Sequence, residues 1–505
     1  MNSDNLKQDF DSKVKLKTIS RRLKLDGRAK VSLAEPVQAE GAVHWHSGGA
    51  VNISARLLAN DDLMEVLSET CHLPWSEIIE APPLADLMNP PGLVGEIMDW
   101  VVASATRPSR ELALGAALCG VSAVAGRAFA TPTNLRTNLY VLALAPSAFG
   151  KDHALDCVSV LMREAGLGHL IGPSRFGSSA GVRRALVDNP SLVTFYDEFG
   201  SLIARLQDPH SSGEFATIRQ LLMDLFSRAK GTYNGDALAA GVTKQIHNPN
   251  ISIYGTTTPD DFWPTLTSAR SADGFLARFL LINVRGKRPR RIAAPALNGG
   301  EPPSRLIDGL REIAEAAAAI CGNIAIRESD RAVLAKRVEL DTDAREIEKV
   351  FSWQIDAAAN ASDPKLHPFL HRALEHALKL ALTIAVGVNP SKPVITGPIL
   401  QWAVGFASYS VRELITEAGS RIADSDRERD FNRVLGIIRE AGAAGITEGK
   451  VTDRTRSLRP RDRNDLLNDM EKAGRIVQRE RRPDGKGRPS RRYFAKEHSP
   501  ADDKS

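Results

Sequence analysis

From residue 93 onward the apolar positions change period several times, and each change marks a different kind of element. VGEIMDWVVASA (94–105) repeats at three and four residues and predicts a helix; ELALGAALCGVSAVAGRAF (111–129), after a break at Pro108, predicts another. The second is so rich in small residues that it must pack closely against a neighbour. NLYVLALA (138–145) is a continuous apolar run, suited to a strand buried on both faces. MREAGLGHLIG, ALVDNPSLVTFYDEFG and HNPNISIYGTTTPDDFW give further strand candidates between helix-like stretches. This alternation predicts an α/β core with crossover helices.

After VRGKRPRR (284–291) the strands fade, and residues 302–420 read as mostly helical. Within them ALEHALKLALTIAVGV (373–388) is too short for a membrane span and carries Glu375, His376 and Lys379, so it predicts a buried helix. Glu375 and His376 fit a packed interface better than a catalytic pair. PPLADLMNPPG (82–92) looks like a proline-marked boundary, and GAVHWHSGGA (41–50) offers His44 and His46 without a third metal ligand. Four regions result: an arm with a small accessory region (1–80), the core with its leading helices (81–300), a helical domain (301–420) and a terminal unit (430–495). A chain of 505 residues is long enough for two to four cores.

Composition changes this picture little. A net charge of +5 identifies no partner. The four cysteines, Cys71, Cys119, Cys157 and Cys321, form no C-x-x-C pair, which argues against structural zinc and fits a reducing, cytoplasmic setting. The charged N-terminus lacks an apolar signal core, and no membrane partner is expected.

The strand at 138–145 runs into PSAFGKDHA, which asks whether the turn holds a phosphate. The full pattern is G-x-x-x-x-G-K-[ST], and here only Gly150 and Lys151 match. A strand, a tight turn and a helix starting near Lys151 are the context in which backbone N–H groups, a helix dipole and a lysine meet an anion. Ala145 and Ala148 can replace glycine provided their dihedrals are ordinary, because alanine fails mainly where φ must be positive. Asp152 stands where a hydroxyl normally ligates Mg²⁺; a carboxylate is also a hard oxygen ligand. Ala148, Phe149, Gly150, Lys151 and Asp152 are the expected nucleotide contacts. A helix cap that binds nothing is the alternative.

Two more strand tips add to this. Leu192–Tyr196 precedes Asp197, suited to Mg²⁺, and Glu198, suited to orienting attacking water. The interval from Lys151 to Asp197 leaves room for a helix, another strand and a second helix. NISIYGTTTP ends in hydroxyls, of which Thr256 is the first choice and Thr257 the second for bonding a γ-phosphate or water. In SARSADGFLARFLLI, Arg270 and Arg278 are candidates to stabilise transferring charge, in cis or across a subunit interface. A structural ion pair of Arg278 with Asp273 or Glu198 is the alternative.

The order APSAFGKD (145–152), FYDEFG (195–200), YGTTTPDDF (254–262), GFLARFLL (274–281) and HRALEHALKLAL (371–382) resembles domain-of-unknown-function family 3987, P-loop proteins of prophages, plasmids and mobile islands. The resemblance covers about 80–415. It implies a P-loop NTPase core of RecA or helicase-related type using ATP and Mg²⁺ in replication or maintenance of mobile DNA. Lys151, Asp197 and Glu198 fall on its pattern; Ala148 and Asp152 depart from its commonest glycine and serine.

The terminal unit reads separately. Helix 431–442 carries Val434, Leu435, Ile437 and Ile438 on one side; ITEGKVTDRTRS suits a short helix; RDRNDLLNDMEKAG gives a third, with Leu466, Leu467 and Met470 inward. IVQRERR and SRRYFA then flank the turn-rich PDGKGRP. Three helices and a basic hairpin predict a winged helix-turn-helix. Residues 475–496 hold nine Lys/Arg against Glu480 and Asp484. The expected DNA contacts are Arg454, Arg459, Arg461, Arg481, Arg482, Lys486, Arg488, Arg491 and Arg492, a footprint for a phosphate backbone. The leading expectation is an ATP hydrolase acting on DNA, with a homo-oligomeric ring and replication proteins as further partners. A nucleotide-gated DNA-binding regulator with little hydrolysis, and an interaction scaffold with a degenerate loop, are the alternatives.

Overall fold

The apolar run at 138–145 folds as the strand Tyr140–Leu144 (β1), with all five side chains buried, in a computed structural model of the chain. The structure describes residues 32–33, 51–52, 75–208, 211–235, 237–238, 241–242, 244–265, 274–292, 301–321, 331–421, 426–456, 458–481 and 490–498. His44 and His46 lie outside the described residues, as do Cys71, Arg270, Asp273, Arg482, Lys486 and Arg488. The chain divides into one unit of residues 1–265 and 271–415 and a second of 266–270 and 416–505. The helical stretch expected as its own domain at 301–420 thus shares the sheet's unit as far as Ile415.

In the first unit, helices Leu93–Ser104 (α1) and Arg110–Ala125 (α2) precede β1. Helix Lys151–Glu164 (α3), helix Ser179–Asp188 (α4) and strand Ser191–Tyr196 (β2) follow. Helices Phe199–Gln207 (α5) and Gly213–Arg228 (α6) lead to strands Asn250–Thr257 (β3) and Phe279–Asn283 (β4). The sheet runs β4-β1-β3-β2, with every pairing parallel. The strand expected within MREAGLGHLIG is reduced to one parallel bridge, Ile171 to Val193, because helix α3 consumes the segment as far as Glu164.

Alternation along the strands assigns the two faces. Val141, Ala143, Val193, Phe195, Tyr254, Leu280 and Ile282 share one core with α1, α2 and α3. Helix α2 is buried all round, as its composition predicted. A Cβ on Gly115 would sit 2.3 Å from the Tyr254 ring, so only glycine lets the helix approach β3 this closely. Next along β3, Gly255 faces the other way, where a Cβ would meet Phe199 of α5 at 2.6 Å. That second face is aromatic: Tyr140 packs on Phe226 and Phe279, and Phe279 on Phe199 and Phe275.

Helices Ser304–Cys321 (α7), Thr342–Asn360 (α8), His367–Val388 (α9) and Gly397–Arg421 (α10) follow, the last belonging to the first unit as far as Ile415. The 82–92 stretch is no linker: Leu87 and Met88 are buried, and the Leu87 carbonyl accepts from Trp402 Nε1 at 3.0 Å. Edge strand β4 is closed by α10. The Ser410 hydroxyl accepts from the Leu281 N–H at 2.7 Å, and the Tyr409 hydroxyl accepts from the Asn283 N–H at 3.1 Å.

Helix α9 carries charge into the interior at the end of the sheet where β1 and β4 begin. Lys379 is 1% exposed. Its Nζ donates to Asn138 Oδ1 at 3.0 Å, lies 3.3 Å from Glu375 Oε1 and stands 3.5 Å from the Phe226 ring centroid. Burial pulls its pKa down to about 8 against the pull of Glu375. Burial pushes Glu375 up, but the Lys379 and Arg372 charges outweigh it and hold the carboxyl at about 2. His376 Nε2 donates to the Ala277 carbonyl at 2.9 Å, and burial keeps the ring neutral, with a pKa of about 4. These residues form a packed interface rather than a catalytic pair.

Glu375→Gln leaves Lys379, Arg372 and Arg278 without their shared anion and is expected to cost about 3–5 kcal/mol in urea unfolding. Because the folded carboxyl is depressed below its ordinary 4.5, its contribution is present above that value and lost as pH falls toward about 2. The gap between wild type and variant should narrow over that window.

Candidate functional site

The C-terminal ends of β1, β2 and β3 lie at one edge of the sheet, and Ala143 stands opposite Thr256 while Tyr196 stands opposite Gly255. β3 therefore lies between the lysine loop and the acidic pair. The loop leaves β1 through Ala145, whose N–H donates to the Thr257 carbonyl at 3.0 Å. Phe149 is buried in the α1–α3 core and holds the turn down by its side chain; its contribution toward solvent is backbone alone. Gly150 has φ 80° and ψ 38° at the start of α3, and a Cβ there would lie 3.2 Å from the Arg107 carbonyl. The N–H groups of residues 147–150 donate to no acceptor among the described residues.

Ala148 corrects the sequence reading. Its φ is 64°, the left-handed region, so alanine is held here against its preference rather than in ordinary dihedrals. Glu198 is the second strained residue, with φ 54° at the start of α5. Both stand where the loop and the acidic pair leave the sheet, and such left-handed backbone stores strain.

The loop and the acids meet. The Asp152 carboxyl hydrogen-bonds the Asp197 side chain, and Lys151 is near enough to pull on it electrostatically. Partial burial, then the Asp197 charge, the hydrogen bond to Asp197 and the Asp156 charge, raise the Asp152 pKa, with Lys151 opposing. Asp197 Oδ1 accepts from the Thr256 hydroxyl at 2.7 Å and from the Glu198 N–H at 2.9 Å. Thr256 is fully buried and spends its proton on Asp197, so it positions that carboxylate instead of reaching outward. The Glu198 carboxylate is exposed and has no partner among the described residues. Thr257 is turned inward toward Gly200, where a Cβ would meet its hydroxyl at 2.2 Å.

Arg278 is not part of this constellation. It precedes Phe279, the residue paired with Tyr140 at the start of β1, so it lies roughly 15 Å of strand from the loop end. Its Nη1 donates to the Gly274 carbonyl at 2.6 Å, and burial with the neighbouring Arg372 lowers its pKa to about 10. Its acidic neighbours are Glu375 and Asp224, not Glu198. A charge-stabilising role within one chain is therefore corrected to a structural one. Arg107, which the sequence did not single out, is the arginine against the loop.

Behind the loop, His153 Nε2 lies 3.1 Å from the Val101 carbonyl, 3.0 Å from Ser104 Oγ and 3.3 Å from Cys157 Sγ. Burial pushes the Cys157 thiol up, and His153 and Cys157 help line a cavity of about 410 Å³.

The second unit has helix Asp426–Glu440 (α11), a two-residue strand Ile446–Thr447, and helices Glu448–Arg454 (α12) and Pro460–Lys472 (α13). An antiparallel hairpin of Ile476–Arg481 (β5) and Ser490–Ala495 (β6) closes it. Val434, Leu435, Ile438, Leu466, Leu467 and Met470 share its core, with Ile437 packed against them. Arg459, Arg461 and Arg491 are exposed and have no hydrogen bond or ion pair among the described residues. Arg454 pairs with Glu440 at 3.1 Å, and Arg492 donates to the Ala444 carbonyl at 2.7 Å. Arg481 ends β5.

Two substitutions test this geometry without any ligand. Ala148→Gly releases about 1–2 kcal/mol of left-handed strain against about 0.4–1 kcal/mol of added unfolded-state freedom. A small rise in thermal midpoint is expected; a fall would contradict the positive φ. For Asp152, the folded carboxyl titrates above its unfolded value of 3.8, so the unfolded chain loses its proton first and stability falls as pH rises through that window. Asp152→Asn should therefore be the more stable protein near neutrality and equal to wild type below the window, read as midpoint against pH.

No family model matches the chain and no curated protein matches it, so the site is read from its own geometry.

Proposed function

We propose that the first unit is a P-loop NTPase core of RecA or helicase-related type that binds Mg·ATP, and that the second is a winged helix-turn-helix that holds DNA. The chain would then be an ATP hydrolase acting in replication or maintenance of mobile DNA, as the motif order similar to family 3987 implies. The observation that carries this reading is that Asp197, held by the Thr256 hydroxyl at 2.7 Å, meets Asp152 beside Lys151, which joins three separate segments at one edge of the sheet.

In this reading the free N–H groups of 147–150 and the Lys151 ammonium hold the phosphates. Asp152 and Asp197 hold the cation, Thr256 fixes Asp197, and Glu198 orients the attacking water. Among the described residues no three His, Cys, Asp or Glu side chains gather to hold a metal by themselves. That suits Mg²⁺, which takes one or two carboxylates and completes its shell with phosphate and water, and it does not suit zinc. Bound there, the cation offsets the two carboxylates against the phosphates and polarises the transferring group. An arginine acting on the transferring charge would come in trans within a ring, with Arg270 as the candidate. Arg459, Arg461 and Arg491 are the free cations through which the second unit would meet a phosphate backbone.

The test is ATP turnover by the full chain with and without DNA. Lys151→Ala is expected to abolish nucleotide binding measured by calorimetry. Glu198→Gln should keep binding while kcat drops about 10²–10⁴-fold. Turnover untouched by either change would sink the assigned roles. Mg·ATP binding that alters DNA affinity with negligible turnover would instead mark a nucleotide-gated regulator.

A further inference from the structure

The segment 285–291, RGKRPRR, holds five cations and no acid in seven residues. It leaves the C-terminal end of β4 next to the phosphate loop, for the Val284 N–H donates to the carbonyl of Leu144, the last residue of β1. The segment is then strapped to the turn between α1 and α2. Arg107 Nη1 donates to the Pro289 carbonyl at 3.0 Å, and the Ile292 N–H donates to the Thr106 carbonyl at 2.8 Å. Arg107 is the residue whose carbonyl backs Gly150. A continuous path of contacts thus runs from Gly150 through Arg107 to Pro289.

Four of the five cations on this strap are unspent. Arg285 pairs with Glu413 at 2.8 Å. Lys287, Arg288, Arg290 and Arg291 are exposed and have no hydrogen bond or ion pair among the described residues. Four unpaired cations pinned to a folded edge are costly in mutual repulsion, and a polyanion relieves it. The strap has no apolar stripe of the kind an interfacial helix lays into a membrane. Four exposed cations within five residues suit a chain of phosphates rather than one phosphate group.

We propose that residues 287–291 are a phosphodiester-binding strap, by which the first unit itself grips nucleic acid beside the nucleotide loop. The strap rests on the nucleic-acid reading of the chain but on none of the second unit's residues. Nucleotide on the loop would move Gly150 and Arg107, and with them the strap, so oligonucleotide affinity should respond to nucleotide through Arg107.

The experiment is fluorescence anisotropy of single-stranded and duplex oligonucleotides with the full chain, across about 50–200 mM salt. Removing three phosphate contacts by Arg288→Ala, Arg290→Ala and Arg291→Ala together should lower the salt slope by about 2 for single strands and about 3 for duplex, whichever is the substrate. The same three positions changed to lysine should keep the slope, separating charge from misfolding. Arg107→Ala should remove any affinity change caused by a non-hydrolysable Mg·ATP analogue while leaving the slope. A slope unchanged by the triple alanine variant but lowered by Arg459→Ala with Arg491→Ala overturns the strap and leaves the second unit's role standing. Binding to phosphatidylserine vesicles that the triple variant loses, with oligonucleotide binding intact, overturns it in favour of a lipid surface. Affinity that ignores nucleotide in the wild type tells against the loop reading, and the slope result stands apart from it.

Discussion

The parallel register of β1, β3 and β2 decides what this chain can do. Because Thr256 stands opposite Ala143 and Gly255 opposite Tyr196, the loop, the hydroxyl and the acid pair leave the sheet at one edge. A slip of one residue would turn every inward side chain of a strand to the opposite face. Here both faces are filled, by Tyr254 against Gly115 and by Phe199 against Gly255, so no slip is tolerated. The close approaches that secure the register are also what place Thr256 within 2.7 Å of Asp197.

The two ends of the sheet treat charge in opposite ways. At the end where β1 and β4 begin, Lys379, Glu375, Arg372 and Arg278 are taken into the interior and held against one another and against Asn138, Gly274 and the Phe226 ring, with Arg278 Nε left without an acceptor among the described residues. Such a cluster is costly to assemble and costlier to break. At the loop end Asp152, Asp197 and Glu198 are left exposed, and two non-glycine residues sit at positive φ. That backbone persists because Phe149 and Phe199, one residue beyond each strained position, are buried anchors.

Much of this could be read in the sequence, and the failures have physical causes. A continuous apolar run located β1 because a strand buried on both faces carries few polar positions to obscure it; β2 and β3 were legible although Thr194, Asn250 and Ser252 are buried polar positions within them. The small residues of α2 announced close packing correctly, since only glycine admits the Tyr254 ring at that distance. The strand expected near 162–172 was misread because apolar content alone does not distinguish a helix end from a strand. Arg278 looked functional because a charge among apolar residues needs a partner; its acidic neighbours, Glu375 and Asp224, come from segments distant in sequence. Ala148 was misjudged because dihedral strain leaves no mark in the residue letters. Arg107 and the strap depend on tertiary contacts, which one sequence does not display.

Asp152 is where local chemistry and function bear hardest on each other. A hydroxyl at this position would be neutral with or without a cation. A carboxyl facing Asp197 is not: in the free protein burial, the Asp197 charge and the hydrogen bond to Asp197 raise the Asp152 pKa and work against its charge. On the proposed reading a divalent cation reverses that sign, because the same two carboxylates become its ligands. Whatever the free site loses by keeping two acids together, the occupied site regains, and ligand binding adds to stability by linkage. On that reading, an aspartate in place of a hydroxyl at 152 would tie the nucleotide to its metal. Phosphates arriving without a cation would meet negative charge at the start of α3, where the helix dipole and Lys151 alone would have to offset it.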